Sequence, residues 1–212
     1  HYVGVGGEER LERVAACEGT TFYFEGSSGD ECLVRSTSPR GTERHFDGAR
    51  RGEERLVSIR DKDGRTGRLE GDRGKERVVS QRHPCGRVEH FTGEQGEEAL
   101  VRVEDGLSTT HYTGPRNEER VVRVTWPCGL VHEFDGERGE EALVRSRRNG
   151  NTWHYEGSKG KERRVGCTND SDGSALRVTW DDDAVVGREL RKDGGMEVYE
   201  GLGDDRRMVR IE

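Results

Sequence analysis

The sequence predicts an all-β protein, an elongated single-layer antiparallel β-meander of about ten hairpin repeats of ~22 residues each. First, an aromatic-x-Gly tripeptide recurs at steps of 21 to 23 residues, with its glycines at Gly4, Gly26, Gly48, Gly71, Gly93, Gly114, Gly136 and Gly157. Second, short apolar segments alternate with glycine-containing turns, which leaves no room for a helix of ordinary length. Third, the apolar content is only 29%, but its apolar residues are periodic. A repeat array tolerates so thin a core because each repeat buries its apolar face against its neighbours.

The first strand of each repeat is predicted to end in the aromatic-x-Gly tripeptide. Eight of the ten Phe and Tyr residues form an aromatic column two positions before the glycine: Tyr2, Phe24, Phe46, Phe91, Tyr112, Phe134, Tyr155 and Tyr199, with Leu69 as the exception. We expect this column to form the core. A His column precedes it: His1, His45, His90, His111 and His154. Histidines in adjacent repeats of a meander lie ~10 Å apart, too far to share one zinc ion, so we interpret them as structural.

The second strand is predicted from three columns that follow a second glycine. A Glu column comes first: Glu9, Glu31, Glu54, Glu76, Glu98, Glu119, Glu141 and Glu162. Paired apolar residues such as Leu33-Val34 follow, and then an Arg column: Arg35, Arg102, Arg123, Arg145 and Arg210. The Glu and Arg columns are four residues apart, so we expect them to share one strand face and to form charge ladders across the sheet. The functional alternative is an interaction face that presents regular charge.

A second turn closes each repeat. It reads Pro-Arg-Gly41, Lys-Asp-Gly64, Pro-Cys-Gly86, Pro-Cys-Gly129, Arg-Asn-Gly150 and Ser-Asp-Gly173. These are turn sequences because glycine adopts positive φ without steric cost. The runner-up fold is a parallel β-solenoid, in which each repeat would advance by about half of the ~10 Å expected for a meander. The unit has too few inward-facing apolar ladders for a closed solenoid coil.

Residues 1–212 are predicted to form a single continuous array whose ninth repeat, about 166–190, is degenerate. The step from Gly157 to Gly201 is 44 residues, or two periods. Within it, residues 177–180 replace the His-aromatic-x-Gly sequence, and Asp181, Asp182 and Asp183 form the predicted hairpin tip. We interpret this tip as a solvated acidic turn, because its spacing matches no calcium loop.

Composition limits the partners and the compartment. The net charge of −7 disfavours nucleic acid as the main partner, and no apolar run approaches the ~20 residues of a membrane span. The chain opens at His1 inside a repeat, which suggests a processed or fragmentary N-terminus. Cys85 and Cys128 lie two repeats apart, or about 19 Å in a meander, beyond the reach of a disulfide. We expect reduced thiols in a cytoplasmic or organellar protein that is not an integral membrane protein.

The repeat resembles the MORN repeat. Tyr155-Glu156-Gly157 and Tyr112-Thr113-Gly114 match its Tyr-x-Gly signature, the resemblance covers nearly the whole chain, and the period is within a residue of that family's. The chain departs from the family where Glu-x-Leu-Val-Arg replaces Gly-x-Gly in the second strand. It is similar to a Glu/Arg-rich variant among repeat proteins of algae and protists. The resemblance implies a scaffold, docking surface or spacer in a larger assembly, and some such proteins have been linked to membranes or phosphoinositides.

The functional hypothesis is therefore a non-enzymatic structural scaffold or spacer that mediates protein–protein interactions, including as an accessory subunit of a larger complex. Its partners would be other proteins, or a self-associated copy, along one sheet face or edge. The alternative is a peripheral membrane or phosphoinositide-binding module. We predict no catalytic, cofactor-binding or metal-binding residues and no cofactor, because no Ser or Cys nucleophile has a credible base in sequence.

Overall fold

The computed structural model describes residues 1–181, 184–190, 196–200 and 207–211. In this part of the chain every regular element is a β-strand, and the paired strands run antiparallel, as in β8 (Thr66–Glu70) with β9 (Arg77–Arg82). The predicted all-β antiparallel meander is confirmed. The parallel solenoid is excluded, because its coils would stack their strands in parallel. No helix of the described residues is long and apolar enough to cross a membrane.

The strands fall into two compact blocks of consecutive antiparallel hairpins, and the first two strands of the chain form a separate two-stranded sheet. The N-terminal block comprises residues 1–106 and 115–117, and the C-terminal block comprises residues 107–114 and 118–212. The N-terminal block contains β1 (Tyr2–Val3), β2 (Arg10–Leu11), β3 (Arg13–Ala15), β4 (Thr21–Glu25), β5 (Cys32–Thr37), β6 (Glu43–Asp47), β7 (Arg55–Arg60), β8, β9, β10 (Val88–Thr92) and β11 (Ala99–Glu104). The C-terminal block contains β12 (Thr109–Thr113), β13 (Arg120–Thr125), β14 (Val131–Asp135), β15 (Ala142–Arg148), β16 (Asn151–Glu156), β17 (Arg163–Asn169), β18 (Ala175–Asp181), β19 (Ala184–Leu190), β20 (Met196–Glu200) and β21 (Arg207–Ile211). The single continuous array of residues 1–212 stays a prediction.

A β-bulge recurs at the aromatic column. In the β10–β11 hairpin, Phe91 pairs with Leu100 and His90 pairs with Arg102, which leaves Val101 as the extra residue. The same shift occurs at Phe24, Phe46, Leu69, Tyr112, Phe134, Tyr155 and Tyr199. A bulge places two residues of one strand opposite one of the other. Each paired apolar column therefore supplies one residue opposite the aromatic residue and one that is left out of register.

The second turns have the hydrogen bonds and the positive glycine φ that their sequences predict. Between β9 and β10, the Gly86 N–H donates to the His83 carbonyl, and the His83 N–H donates to the Arg87 carbonyl. Gly86 has φ of 91°, in the left-handed region that favours glycine. In the β15–β16 hairpin, Asn149 and Gly150 both have positive φ, as a two-residue type I′ turn requires.

The two faces of each sheet differ in chemistry. The aromatic face carries the aromatic column and the residue paired with it, and the charged face carries the His and Arg columns. Buried side chains on the aromatic face are Ser36, Leu69, Val103, Ser146 and Val178. No large side chain of the described residues is fully buried. In the aromatic column, Phe24, Phe46, Phe91 and Phe134 are half-buried, and Leu69, which takes the same position, is buried.

The ninth repeat has a different hairpin from its neighbours. β18 and β19 pair without a bulge from Ala175 opposite Leu190 to Asp181 opposite Ala184. Val178 takes the aromatic position and is 2% exposed. Asp182 and Asp183 of the predicted acidic tip lie outside the described residues.

Candidate functional site

The glutamate column holds neighbouring hairpins together. Glu76 lies in the loop between β8 and β9, one residue before β9 begins. Its Oε1 accepts a hydrogen bond from the backbone N–H of Leu56 in the preceding repeat, at 3.2 Å. Its Oε2 accepts from the N–H of Gly74 in its own loop, at 2.8 Å. One carboxylate thus satisfies two backbone donors in two successive repeats, and bonds to an ionised acceptor are stronger than neutral ones.

The same pair of contacts recurs along both blocks. The donors in the preceding repeat are Leu11 to Glu31, Leu33 to Glu54, Val78 to Glu98, Val121 to Glu141 and Leu143 to Glu162, at 3.0 to 3.3 Å. The donors in the same loop are Gly29, Gly52, Gly96, Gly139 and Gly160, of which Gly52 is closest at 2.7 Å. The expected ladder between the Glu and Arg columns is wrong. The glutamates precede the strands and bind backbone amides instead.

These backbone donors shift the acidity of the carboxylates. Hydrogen bonds from its own N–H and from the N–H groups of Leu56 and Gly74 lower the pKa of Glu76, against a smaller opposing effect of burial. The same kind of bonding, with the Leu11 N–H as the largest contribution, lowers the pKa of Glu31. Donors to an ionised carboxylate stabilise its charged form. The contacts therefore favour ionised glutamates at neutral pH.

Basic side chains of the loops also link successive repeats. Arg77, the first residue of β9, donates to the Gly93 carbonyl of the following loop at 3.1 Å. Equivalent contacts join Arg10 to Gly26, Arg55 to Gly71 and Arg120 to Gly136. In the opposite direction, Arg73 donates to Gly52, Arg116 to Gly96 and Lys159 to Gly139. These cations are engaged by backbone carbonyls within the loops.

The loop geometry depends on the glycine of the aromatic-x-Gly tripeptide. Gly93 has φ of 116°, and a Cβ atom added there would lie 2.6 Å from the Glu97 carbonyl oxygen. Gly96, the second glycine of the same loop, has φ of 86° and nothing within 4 Å of an added Cβ. The first glycine is required by backbone contact, whereas the second is required only by its φ. Asn117 occupies the second position in its own loop with φ of 67°, which asparagine tolerates better than most residues.

The charged face carries small clusters of opposite charge. On β5 and β6, Arg35 Nη1 lies 3.1 Å from Glu43 Oε1, and the Arg35 guanidinium lies over the Tyr23 ring. On β14, Glu133 is flanked by Arg123 at 3.5 Å and by Arg145 at 3.0 Å. These arginines do form cross-strand pairs, but with acids of the strands rather than with the Glu column. Exposed pairs of this kind contribute about 0–1 kcal/mol each.

The His column joins these clusters rather than a metal site. His45 Nε2 lies 3.5 Å from Glu43 Oε1, and His90 Nε2 lies 3.3 Å from Glu104 Oε1, beside Arg102. His154 Nε2 lies 3.3 Å from the Thr168 hydroxyl. Within the described residues, no group of three His, Cys, Asp or Glu side chains could hold a metal ion. The histidines make hydrogen-bonding contacts on the sheet, as the structural interpretation expects.

The two Pro-Cys-Gly turns place equivalent residues in contact with the next strand. In one turn, His83 Nε2 lies 3.2 Å from Glu89 Oε2. In the other, the Trp126 and His132 rings meet edge to face at 4.8 Å. Burial lowers the pKa of His132. The same geometry thus accommodates either a polar pair or an aromatic pair.

The cysteines differ in exposure according to their position in the repeat. Cys17, Cys85 and Cys128 are exposed thiols in second turns, whereas Cys32 is buried at the start of β5. Ala99 and Ala142 occupy the position of Cys32 in their own repeats and are equally buried. Burial raises the pKa of the Cys32 thiol. Cys32 is therefore a small packing residue rather than a nucleophile.

A depression of about 690 Å³ lies beside β4 in the N-terminal block. Its wall includes Arg10, Tyr23, Arg35 and His45. Arg10 is bonded to the Gly26 carbonyl, and Arg35 is paired with Glu43. These two guanidinium groups are thus already engaged by a carbonyl and a carboxylate of the sheet.

Sequence reasoning identified the columns but missed the role of the glutamates. The available signal was their fixed place two residues after the second glycine and two residues before the first member of an apolar pair. A carboxylate at that spacing can reach the glycine N–H two residues back, as Glu98 does with Gly96 at 2.9 Å. No protein-family model matches this chain, and the search of curated proteins found no match.

Proposed function

We propose that the chain is a non-enzymatic scaffold that binds another protein along its aromatic face. The observation that supports this is the half-buried aromatic column, whose residues recur on one side of the sheet in most of the described hairpins. Aromatic side chains supply a large apolar contact area and are enriched at protein interfaces. A row of them at a repeat spacing of ~10 Å suits an extended partner surface.

The charged face is the weaker candidate for this contact. Its arginines are already paired, as Arg35 is with Glu43 and Arg145 is with Glu133. A partner would have to replace these internal pairs, which reduces the net gain from binding. We also propose that the repeat is a MORN-like repeat. The scaffold would then act as an accessory subunit of a larger assembly. The free cysteines support an intracellular compartment.

A matched pair of variants tests the choice of face. Thr109 and Thr110 are adjacent in β12, similarly buried, and point to opposite sides of the sheet. Thr110 shares the aromatic face with Tyr112, two residues along the strand. With the native chain as bait in extracts of its source cells, Thr110→Arg should reduce recovery of specific partners at least ~10-fold, a change of about 1.4 kcal/mol. Thr109→Arg should leave recovery unchanged.

Equal recovery of partners by Thr109→Arg and Thr110→Arg, with folding unchanged, would refute binding through the aromatic face.

The peripheral membrane alternative predicts salt-sensitive binding to vesicles that contain an anionic phosphoinositide. The loop cations Arg73 and Lys159 already donate to glycine carbonyls, so no described contact favours that alternative. Vesicle binding that survives Thr110→Arg would favour it over the scaffold.

A further inference from the structure

One part of the charged face differs in composition from the rest. Ser58 of β7 and Ser80 of β9 stand where other repeats have a residue of the Arg column. Arg68 of β8 lies between them, paired with Ser58 on one side and with Ser80 on the other. This row across the three strands therefore has one arginine, on its central strand, flanked by two hydroxyl groups.

The neighbouring row has the inverse arrangement. Thr66 of β8 pairs with Arg60 of β7 on one side and with Arg82 of β9 on the other. Residues two positions apart in a strand share a face, so this row also lies on the charged face. Arginines and hydroxyl groups thus alternate over three adjacent strands of the N-terminal block.

Arg60 and Arg82 are exceptions to the pairing of arginines with acids on this face. Arg35 lies 3.1 Å from a glutamate oxygen, and so does Arg102. Within the part of the chain that the structure describes, the side chains of Arg60, Arg82 and Thr66 have no ion-pair or hydrogen-bond partner. Both arginines are exposed. Their charges are therefore free to meet a ligand.

The acids beside these arginines are engaged by other cations. Glu43 pairs with Arg60 in the strand register, but its carboxylate accepts a hydrogen bond from Arg35 at 3.1 Å. Glu70 lies 3.1 Å from Arg68. The two free guanidinium groups start from backbone positions about 10 Å apart, on either side of one threonine, with no carboxylate between them.

We propose that Arg60, Thr66 and Arg82 bind the phosphomonoester group of a soluble molecule. A guanidinium donates two parallel hydrogen bonds to phosphate oxygens, and these arginines approach one phosphate group from opposite sides. The Thr66 hydroxyl supplies a further donor between them. Arg68 adds a third positive charge in the adjacent row. The bound dianion offsets the repulsion between the arginines, which no acid of the described chain relieves.

The surrounding charges favour a soluble ligand over a lipid surface. Glu43 and Glu70 border the site on the same face, and Glu104 lies on that face two strands beyond Arg82. A single phosphate group contacts the arginines alone, whereas an anionic bilayer would also meet these carboxylates. The site is on the face opposite to the aromatic column, so it goes beyond the proposed scaffold contact and does not depend on it.

The test is a titration of the 212-residue chain with inorganic phosphate and with O-phosphoserine at constant ionic strength, followed by nitrogen–proton NMR spectra. The expected result is a saturable shift of the Thr66 amide and of the Nε signals of Arg60 and Arg82. Arg60→Gln and Arg82→Gln should each weaken binding at least ~10-fold, because each removes a charged bidentate donor. Arg44→Gln makes the same charge change at an exposed residue of the opposite face and should leave binding unchanged.

A further variant separates charge from geometry. Arg82→Lys keeps the charge but loses the planar fork, so its affinity should lie between those of the native chain and Arg82→Gln. Without phosphate, all of these variants should melt as the native chain does, because the replaced side chains are exposed.

The absence of a saturable shift at β7–β9 would overturn the inference. So would unchanged binding by Arg60→Gln and Arg82→Gln, or an equal loss in Arg44→Gln. Vesicles of phosphatidylcholine and phosphatidic acid present the same phosphomonoester on a lipid. Binding to these vesicles without a response to soluble phosphate would overturn the assignment of a soluble ligand.

Discussion

The Glu76 carboxylate accepts the backbone N–H of Leu56, twenty residues earlier, at 3.2 Å. Leu56 is in β7 and Glu76 is in the loop after β8, so the bond spans one entire strand and its turn. Strand pairing alone would leave the bulged end of each hairpin without a partner for this N–H. The carboxylate supplies it and ties each glycine loop to the repeat before it. Repeats joined by such nearest-neighbour contacts have a stability that depends strongly on their junctions.

Removing one junction carboxylate should therefore lower stability. Glu98→Ala leaves the N–H groups of Val78 and Gly96 without their acceptor, and we expect a loss of about 1–2 kcal/mol in the free energy of unfolding. Glu97→Ala is the matched control, because Glu97 is exposed in the same loop and contributes only its backbone. Urea unfolding of the two variants checks the prediction. Equal stability of Glu98→Ala and Glu97→Ala would contradict the role of the carboxylate.

The strands themselves were predictable from the sequence. The positions of Phe91 and Gly93 predict a strand that ends beside the glycine, and β10 ends at Thr92. The Pro-Cys-Gly86 sequence predicts the turn between β9 and β10, and Gly86 adopts the required positive φ. Both features are local, since they depend on the conformational preference of glycine and on side-chain alternation. Local rules were therefore sufficient for the hairpins and their order.

The role of the glutamates was not predictable by the same rules. Alternation places Glu98 and Arg102 on one face only if both lie in one regular strand. β11 begins at Ala99, and a bulge at Val101 shifts the register before Arg102. The acceptor role of Glu98 depends on a contact with Val78, twenty residues away, which no local pattern encodes.

Acid should weaken the protein through the same carboxylates. The pKa is lowered from the ordinary value of 4.5 for Glu31, Glu54, Glu76, Glu98, Glu141 and Glu162. A group whose pKa is lower in the folded state contributes stability above its unfolded pKa and loses it as pH falls. We therefore expect stability to fall progressively as pH drops below 4.5. Melting temperature measured against pH checks this.

The matched variants for the acid prediction are Glu98→Gln and Glu97→Gln. Glutamine keeps an acceptor oxygen but does not titrate, so Glu98→Gln should be less stable at neutral pH and should make the decline below pH 4.5 less steep. Glu97→Gln should leave both quantities as they are in the unmodified chain. A decline of the same steepness in both variants would show that other groups cause the acid sensitivity.

The two glycines of one loop should differ in their tolerance of alanine. Gly93→Ala places a Cβ 2.6 Å from the Glu97 carbonyl, so the loop must shift and its junction with it. Gly96→Ala meets no neighbouring atom within 4 Å and carries only the cost of its φ of 86°. We expect about 1–2 kcal/mol for Gly96→Ala and a larger loss for Gly93→Ala. Urea unfolding ranks the two, and the reverse order would contradict the close contact in this structure.

The aromatic column should contribute to stability in proportion to its burial. Full burial of Phe makes Phe→Ala cost about 3–5 kcal/mol, so half-buried Phe91 should cost about 2 kcal/mol. Tyr2, at 66% exposure, should cost less than about 0.5 kcal/mol when replaced by alanine in dilute samples. Denaturant unfolding of the two variants provides the comparison. A loss at Phe91 as large as that of a fully buried Phe would mean that something covers the aromatic face in solution. Concentration dependence of that loss would then identify the cover as another copy of the chain, since mass action makes the stability of an associated protein depend on its concentration.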